Sequence, residues 1–210
     1  MPKSEPFETH TQQYEDWFVT NRFAYRSELL AVKKLLPATG WGIEIGVGSG
    51  LFAQPLGIDW GVEPSVKMRT LAVQRRIRTI GGSAEMLPLK SAQFDFSLMV
   101  TTVCFLDDVE QSFRETNRIL KPGGSFIIGF IDKNSPLGEL YRQYQQQNVF
   151  YRVATFYSTE EILSYLKKSN FSNFQFTQTI FHNLSDIHQV EPVKDGYGQG
   201  SFVVIRGEKK

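Results

Sequence analysis

The stretch Gly42–Gly50, read GIEIGVGSG, constrains this chain more than any other. It begins as a short apolar strand and ends in glycines at three alternate positions, Gly46, Gly48 and Gly50. Glycine has no Cβ, so the backbone can turn through positive φ and another molecule can lie against it. A strand that ends this way and hands over to a helix forms a crevice at its carboxyl end. The spacing is GxGxG, with Glu44 two residues ahead of it. The dinucleotide fingerprint GxGxxG needs glycine at position 51, where this chain has Leu51.

Around that stretch, strand and helix patterns alternate. Residues 24–36 carry apolar positions at 25, 29, 32 and 36, with 30 and 35 beside them, a helical stripe that Pro37 and Gly40 close. A strand follows at about 41–45. Beyond Gly50, Pro55 and Gly57 limit any helix to one or two turns. A second strand is expected over 59–63, and Pro64 then suits the first turn of a helix running to about Arg76. Residues 77–80 form a short third strand and 83–89 an irregular loop. Phe94–Val103 is a continuous apolar run, as in a central strand buried on both faces. A helix over Val109–Leu120, a Lys121–Gly124 turn and a strand over Ser125–Ile131 come next. Ser158–Glu161 has the form of a capping box that opens a helix to about Ser169, and strand patterns return at 174–180 and 201–206. Residues 1–11 are polar and read as loose. Tyr14–Phe18 reads as a short aromatic helix, either packed on the domain or acting as a lid. Residues 133–157 show no clean element. The alternation predicts a doubly wound α/β sheet with helices on both faces, in one domain.

The remaining bounds are compositional. A chain of 210 residues can bury one α/β core. The net charge of +1, with basic residues clustered only near Arg75–Arg78, predicts no nucleic-acid partner. The single cysteine, Cys104, leaves no internal disulfide or cysteine-cluster metal site and fits a reducing compartment. No apolar run approaches the roughly 20 residues that span a bilayer, and MPKSEPFETH lacks the apolar core of a signal peptide. A cytoplasmic protein without a membrane partner or metal is expected.

Ligands of such sheets bind beyond the carboxyl ends of the strands. Those ends offer Gly46–Gly50, then Glu63, then Ser83–Met86, then Thr101–Cys104, then Asp132. An acid at the end of the second strand can take two hydrogen bonds from a ribose diol, which singles out Glu63. Asp107 and Asp108 precede a helix, so at least one of them is expected to cap it.

The ordered set GIEIGVGSG, GVEPSVKM, GSAEMLPL, FDFSLMVTTV and ILKPGGSFIIGFI resembles the class I S-adenosylmethionine-dependent methyltransferases. It is most similar to the small type of ubiquinone and menaquinone biosynthesis. The resemblance covers about residues 40–132, the cofactor-binding core. It leaves 1–36 as N-terminal cap helices, 133–157 as a substrate-cap insertion, and 158–210 as a closing helix and strand pair. It implies a Rossmann-like three-layer sandwich with a seven-stranded sheet in the order 3-2-1-4-5-7-6, strand 7 alone antiparallel. It also implies that Glu44, Gly46, Gly48 and Gly50 cradle the methionine part of S-adenosylmethionine. Glu63, followed by Pro64, would bind the ribose. Ala84 and Glu85 would hold the adenine, with Met86 or Val66 on its face, and Thr101 and Thr102 would sit near the methyl group. Ser83 stands where many relatives place an aspartate, which puts more weight on Glu85.

The implied reaction is in-line methyl transfer to a small-molecule acceptor, leaving S-adenosylhomocysteine. The protein's part is positioning and exclusion of water. No motif marks a general base. The titratable candidates are Tyr14, Asp107, Tyr151, Tyr157 and His182, with His10 and His188 in polar stretches. Cys104 reads as a small buried hydrophobe. The aromatics of 133–157 can close over an acceptor or bury a contact between two copies, so monomer and homodimer both stay open. Two other functions fit the same residues less well: a nicotinamide-dependent oxidoreductase, and a non-catalytic S-adenosylmethionine-binding regulatory protein.

Overall fold

The computed structural model describes residues 3–210. Five parallel strands form the central part of its sheet: β1 (Gly42–Ile45), β2 (Trp60–Val62), β3 (Arg78–Ile80), β4 (Phe94–Val100) and β5 (Leu120–Ile131). The sheet is completed by β6 (Phe171–Thr179), β7 (Lys194–Asp195) and β8 (Phe202–Lys209), in the order β3-β2-β1-β4-β5-β8-β6-β7. β8 runs antiparallel to both β5 and β6. The first seven positions reproduce the order implied by the resemblance. The difference is β7, two residues that pair antiparallel along the outer side of β6. A two-residue edge strand carries no periodicity, so it had no signature in the chain.

The helices are α1 (Glu5–Thr9), α2 (Thr11–Thr20), α3 (Arg22–Leu35), α4 (Val66–Gln74), α5 (Val109–Ile119), α6 (Pro136–Gln143) and α7 (Thr159–Lys168). Successive strand residues point to opposite faces, so each strand feeds two cores. Met99, Phe126, Ile128, Val203 and Ile205 pack with Phe113 of α5 and with Ile162 and Leu166 of α7. Leu98, Val100, Ile127, Phe202 and Val204 pack with Ala24, Ala31 and Val32 of α3 and Ala72 of α4. Two apolar layers around one sheet make the expected three-layer sandwich. Among the described residues no helix is long and apolar enough to cross a membrane.

The helix starts follow local chemistry. Ser65, Asp108, Ser135 and Ser158 each accept a backbone N–H from the first turn of α4, α5, α6 and α7, and Ser158 with Glu161 completes the capping box. Pro64 therefore lies before the α4 cap rather than inside its first turn. Asp108 takes the capping role foreseen for one member of its pair.

Several local expectations are corrected. Of residues 1–11, read as loose, the first two lie outside the described residues and Glu5–Thr9 form α1, with Glu5 and Glu8 in its first turn where the helix dipole favours them. Residues 133–157 contain α6 and two short 3₁₀ turns, Gln145–Gln147 and Tyr151–Val153. β4 stops at Val100 because Thr101 turns to φ +49° and Val103–Phe105 forms a 3₁₀ turn. Lys121–Gly124 is a bulge inside β5 rather than a turn before it: between Phe94↔Leu120 and Phe96↔Ser125, β4 advances by two residues and β5 by five.

Candidate functional site

One cavity of about 280 Å³ opens above the carboxyl ends of β1, β2 and β4. Its floor is the glycine turn. The Gly46 and Val47 amides donate to Val62 O at 2.8 and 3.1 Å, which folds the turn back over β2. Gly46 and Gly48 have φ of +71° and +53°, conformations a side chain would strain. Gly50 is also at positive φ, but it packs toward Ile77 and Ala72 and stands away from the cavity wall. Glu44 lies beneath the turn, buried, and accepts the Ala53 amide. Among the described residues its Oε2 is buried without a hydrogen-bond partner, and Glu44 itself stands outside the cavity wall. Desolvation holds its carboxyl well above the usual range.

Glu63 and Pro64 form the next wall. The Gly48 and Ser65 amides donate to Glu63 Oε2 and Oε1, each at 2.9 Å, so both oxygens are oriented from behind. Each oxygen keeps a lone pair for a ligand. Burial raises the Glu63 carboxyl above its ordinary value, against the lowering effect of those two amides. Ser83, Ala84 and Glu85 form the third wall. Glu85 Oε1 accepts the Asp107 amide at 3.0 Å, and Gln111 Nε2 donates to Glu85 O at 3.2 Å, which pins this loop to the start of α5. Met86 is 78% exposed and lies outside the wall. Thr101 and Thr102 close the β4 side. Thr102 Oγ1 bridges Val100 O at 3.0 Å and Gly46 O at 3.2 Å. Thr101 is a β-branched residue at positive φ, a strained conformation of the kind that clusters at functional sites.

The N-terminal helices cover this site. Glu8 of α1 accepts the Val66 amide and the Lys67 amide, the latter at 3.4 Å, at the start of α4. Arg75 pairs with Glu15 of α2 and donates to Ser49 O at 2.9 Å, so it ties α2 to the glycine turn. Phe7 packs edge-on against Tyr14 and Phe105, and Tyr14 against Phe18. Tyr14, Trp17 and Phe18 all line the cavity, so the aromatic helix both packs on the domain and roofs the site.

The candidate bases separate clearly. Tyr14 and Tyr151 line the cavity, but burial pushes both phenols far above neutrality, so they can donate hydrogen bonds and cannot act as tyrosinates. Asp107 is outside the wall. His182 is largely exposed, paired with Glu191, and also outside it. Burial pushes the Cys104 thiol up to about 12, so it stays neutral.

The far end of the cavity holds a residue the sequence pattern concealed, Glu28 of α3, which is 3% exposed. Desolvation pushes its carboxyl up to about 8. A raised folded-state value means that stability is complete at low pH and falls as pH climbs from the unfolded value toward 8. Glu28→Gln removes that loss. Its unfolding free energy is expected to match the wild type near pH 4 and to exceed it by about 2–4 kcal/mol at pH 8.5. Urea unfolding at the two pH values measures the difference, and a pH-independent difference would contradict it.

A family model described as a methyltransferase domain matches residues 43–128. A SAM-dependent methyltransferase of Thermotoga maritima, whose name also raises histamine N-methylation, is 51% identical. The two superpose with a TM-score of 0.97 over 99% of this chain and 100% of that one. The chain belongs to the S-adenosylmethionine-dependent methyltransferases. An uncharacterised protein of Methanocaldococcus jannaschii is 42% identical over 203 residues, covering 97% of this methyltransferase and 98% of that chain. The mitochondrial 2-methoxy-6-polyprenyl-1,4-benzoquinol methylase of Bos taurus is 32% identical over 83 residues, 39% of this chain and 25% of that one. Membership makes S-adenosylmethionine the cofactor and replaces the hydride-transfer alternative. It agrees with the absence of a glycine at position 51 of this methyltransferase.

Proposed function

We propose that this methyltransferase acts on a small-molecule acceptor enclosed in the cavity beneath α1 and α2. The observation that carries the reading is the continuity of that cavity. One space runs from the glycine turn and Glu63 to an aromatic end formed by Trp17, Phe18, Tyr141 and Tyr151. A nucleoside cofactor and a compact acceptor can share it beneath the α1–α2 roof.

The residues fit the cofactor. Gly46 and Gly48 line the cavity, and Glu44, buried beneath their turn and outside the cavity wall, keeps an Oε2 with no partner among the described residues that a cationic amino group reaching the turn would satisfy. In this reading Glu44, Gly46 and Gly48 receive the methionine part, and Gly50 holds the shape of the turn. Glu63 and Pro64 receive the ribose, Ala84 and Glu85 the adenine, and Thr101 and Thr102 stand nearest the reacting centre. When bound, the cofactor supplies a methyl group activated on sulfur. The protein orients the acceptor, and the α1–α2 roof excludes water, the two contributions an in-line displacement most needs. Neutral phenols on Tyr14 and Tyr151 orient by donating hydrogen bonds. The lone cysteine, with no second thiol to pair with, suits a reducing, cytoplasmic setting.

The test is calorimetry with S-adenosylhomocysteine, followed by methylation assays on pooled small-molecule acceptors with labelled cofactor. Saturable binding with a dissociation constant in the micromolar range, together with label in a low-mass product, is expected. No binding at millimolar concentration, or label only in protein or nucleic acid, would overturn the reading.

A further inference from the structure

Glu28 projects from the apolar face of α3, flanked on that face by Ala24, Ala31 and Val32, into the far end of the cavity. Among the described residues no hydrogen-bond donor or cation meets its carboxyl, and desolvation is the whole cause of its raised titration. An acid buried this way weakens the fold unless something answers it. What faces it is aromatic: Tyr25 from its own helix, Tyr141 from α6 and Tyr151 from the following 3₁₀ turn, with Trp17 and Phe18 from the roof. The Tyr141 and Tyr151 rings stack with centroids 4.6 Å apart. The wall carries Glu63 and Glu85 as well, against one cation among the described residues, Lys3, whose Nζ is turned to Leu106 O at 3.3 Å.

We propose that this end of the cavity is an ammonium-recognition site, with Glu28 taking the charge and the aromatic faces enclosing it, so that the acceptor is a small organic amine. The inference rests on the methyl-transfer reading and names its substrate class. A cation is attracted both to a carboxylate and to ring faces. A phosphate or carboxylate acceptor would meet Glu28, Glu63 and Glu85 with no free cation to pair with. A neutral acceptor would leave Glu28 protonated to about pH 8 and draw no charge–charge attraction from it.

Proton linkage gives the site a signature that a structural role would not produce. The phenols facing Glu28 remain neutral, because burial raises Tyr25 to about 12 and Tyr141 and Tyr151 further still. Titration at this end of the cavity therefore belongs to Glu28. Its carboxyl holds a proton up to about pH 8. An ordinary alkylammonium stays charged to about pH 10. Docking an ammonium at pH 7 consequently expels close to one proton, and affinity climbs from pH 6 to about 8 before levelling.

The experiment is calorimetry on the protein saturated with S-adenosylhomocysteine, in two buffers of different ionisation heat. The probes are phenethylamine, tyramine and histamine, each beside a neutral counterpart with hydroxyl in place of the amino group. At least one amine is expected to bind about 100-fold tighter than its counterpart, the order expected for a buried charge pair. That binding should release close to one proton at pH 7. Glu28→Gln should abolish the preference and the proton release, with S-adenosylhomocysteine affinity within about twofold of wild type, as for independent sites. Glu28→Asp should retain a weaker, still proton-linked preference. If no amine is preferred while the cofactor product binds normally, the amine site is overturned and the methyl-transfer reading stands. A Glu28→Gln protein that keeps the preference overturns it as well. Failure of S-adenosylhomocysteine itself to bind defeats the underlying reading instead.

Discussion

Glu63→Ala is expected to weaken S-adenosylhomocysteine binding by about 1–3 kcal/mol, roughly 5- to 150-fold. Two losses combine. The ribose would lose its acceptor, and the Gly48 and Ser65 amides that donate to the carboxyl at 2.9 Å would lose their buried partner. The second loss bears on the glycine turn itself, because the Gly48 amide belongs to the floor of the cavity. Glu63→Gln separates the contributions. Its amide oxygen can satisfy one backbone N–H, but its NH₂ would oppose the other, so intermediate affinity is expected with a smaller loss of stability. Calorimetry and thermal melts on both variants provide the comparison. Wild-type affinity in Glu63→Ala would mean that Glu63 is not the ribose ligand.

Gly46→Ala is expected to destabilise the fold by about 2–4 kcal/mol, combining overpacking with a left-handed backbone. A Cβ there would fall within 3.0 Å of Thr102 Cγ2, Oγ1 and Cβ. Thr102 has little freedom to retreat, since its hydroxyl is held by both Val100 O and Gly46 O. Gly57→Ala is the control. Its φ is the same +71°, but an added Cβ there meets nothing within 4 Å, so only the backbone cost of about 1 kcal/mol is expected. Equal losses in denaturant unfolding would assign the effect to φ alone and remove the steric argument.

The central sheet was legible because β4 and β5 are long apolar runs punctuated by Gly, Pro and acidic caps. The walls of the cavity were legible for a related reason: the glycine turn, Glu63 and Thr101–Thr102 all follow directly from strand ends. Glu28 was not legible. A helical stripe drawn through the large residues Tyr25, Leu29, Val32 and Leu36 places Glu28 beside the buried face. The structure instead centres α3 on Ala24, Ser27, Ala31 and Val32, which are fully or almost fully buried. Small side chains let the helix approach the sheet closely, and the larger ones flank the contact. Periodicity reports where bulk lies, and the innermost line of α3 has little bulk. The same limit applies to α1, whose five residues gain their order from Glu8 on α4 and Phe7 against Phe105, contacts distant in sequence. It also applies to residues 133–157, where the cue for α6 was Ser135 followed by Pro136, a cap and a helix-starting proline rather than a stripe.

The α1–α2 roof has a kinetic consequence. Glu8 fastens it at the α4 amides and Arg75 fastens it at Glu15 on one side of the cavity, while Lys3 on Leu106 O and Phe7 against Phe105 hold it on the other. A short N-terminal segment that covers the cavity thus opens against contacts of two kinds, polar and aromatic. Salt screens the charged contacts and leaves the aromatic ones, so ionic strength loosens the roof without detaching it.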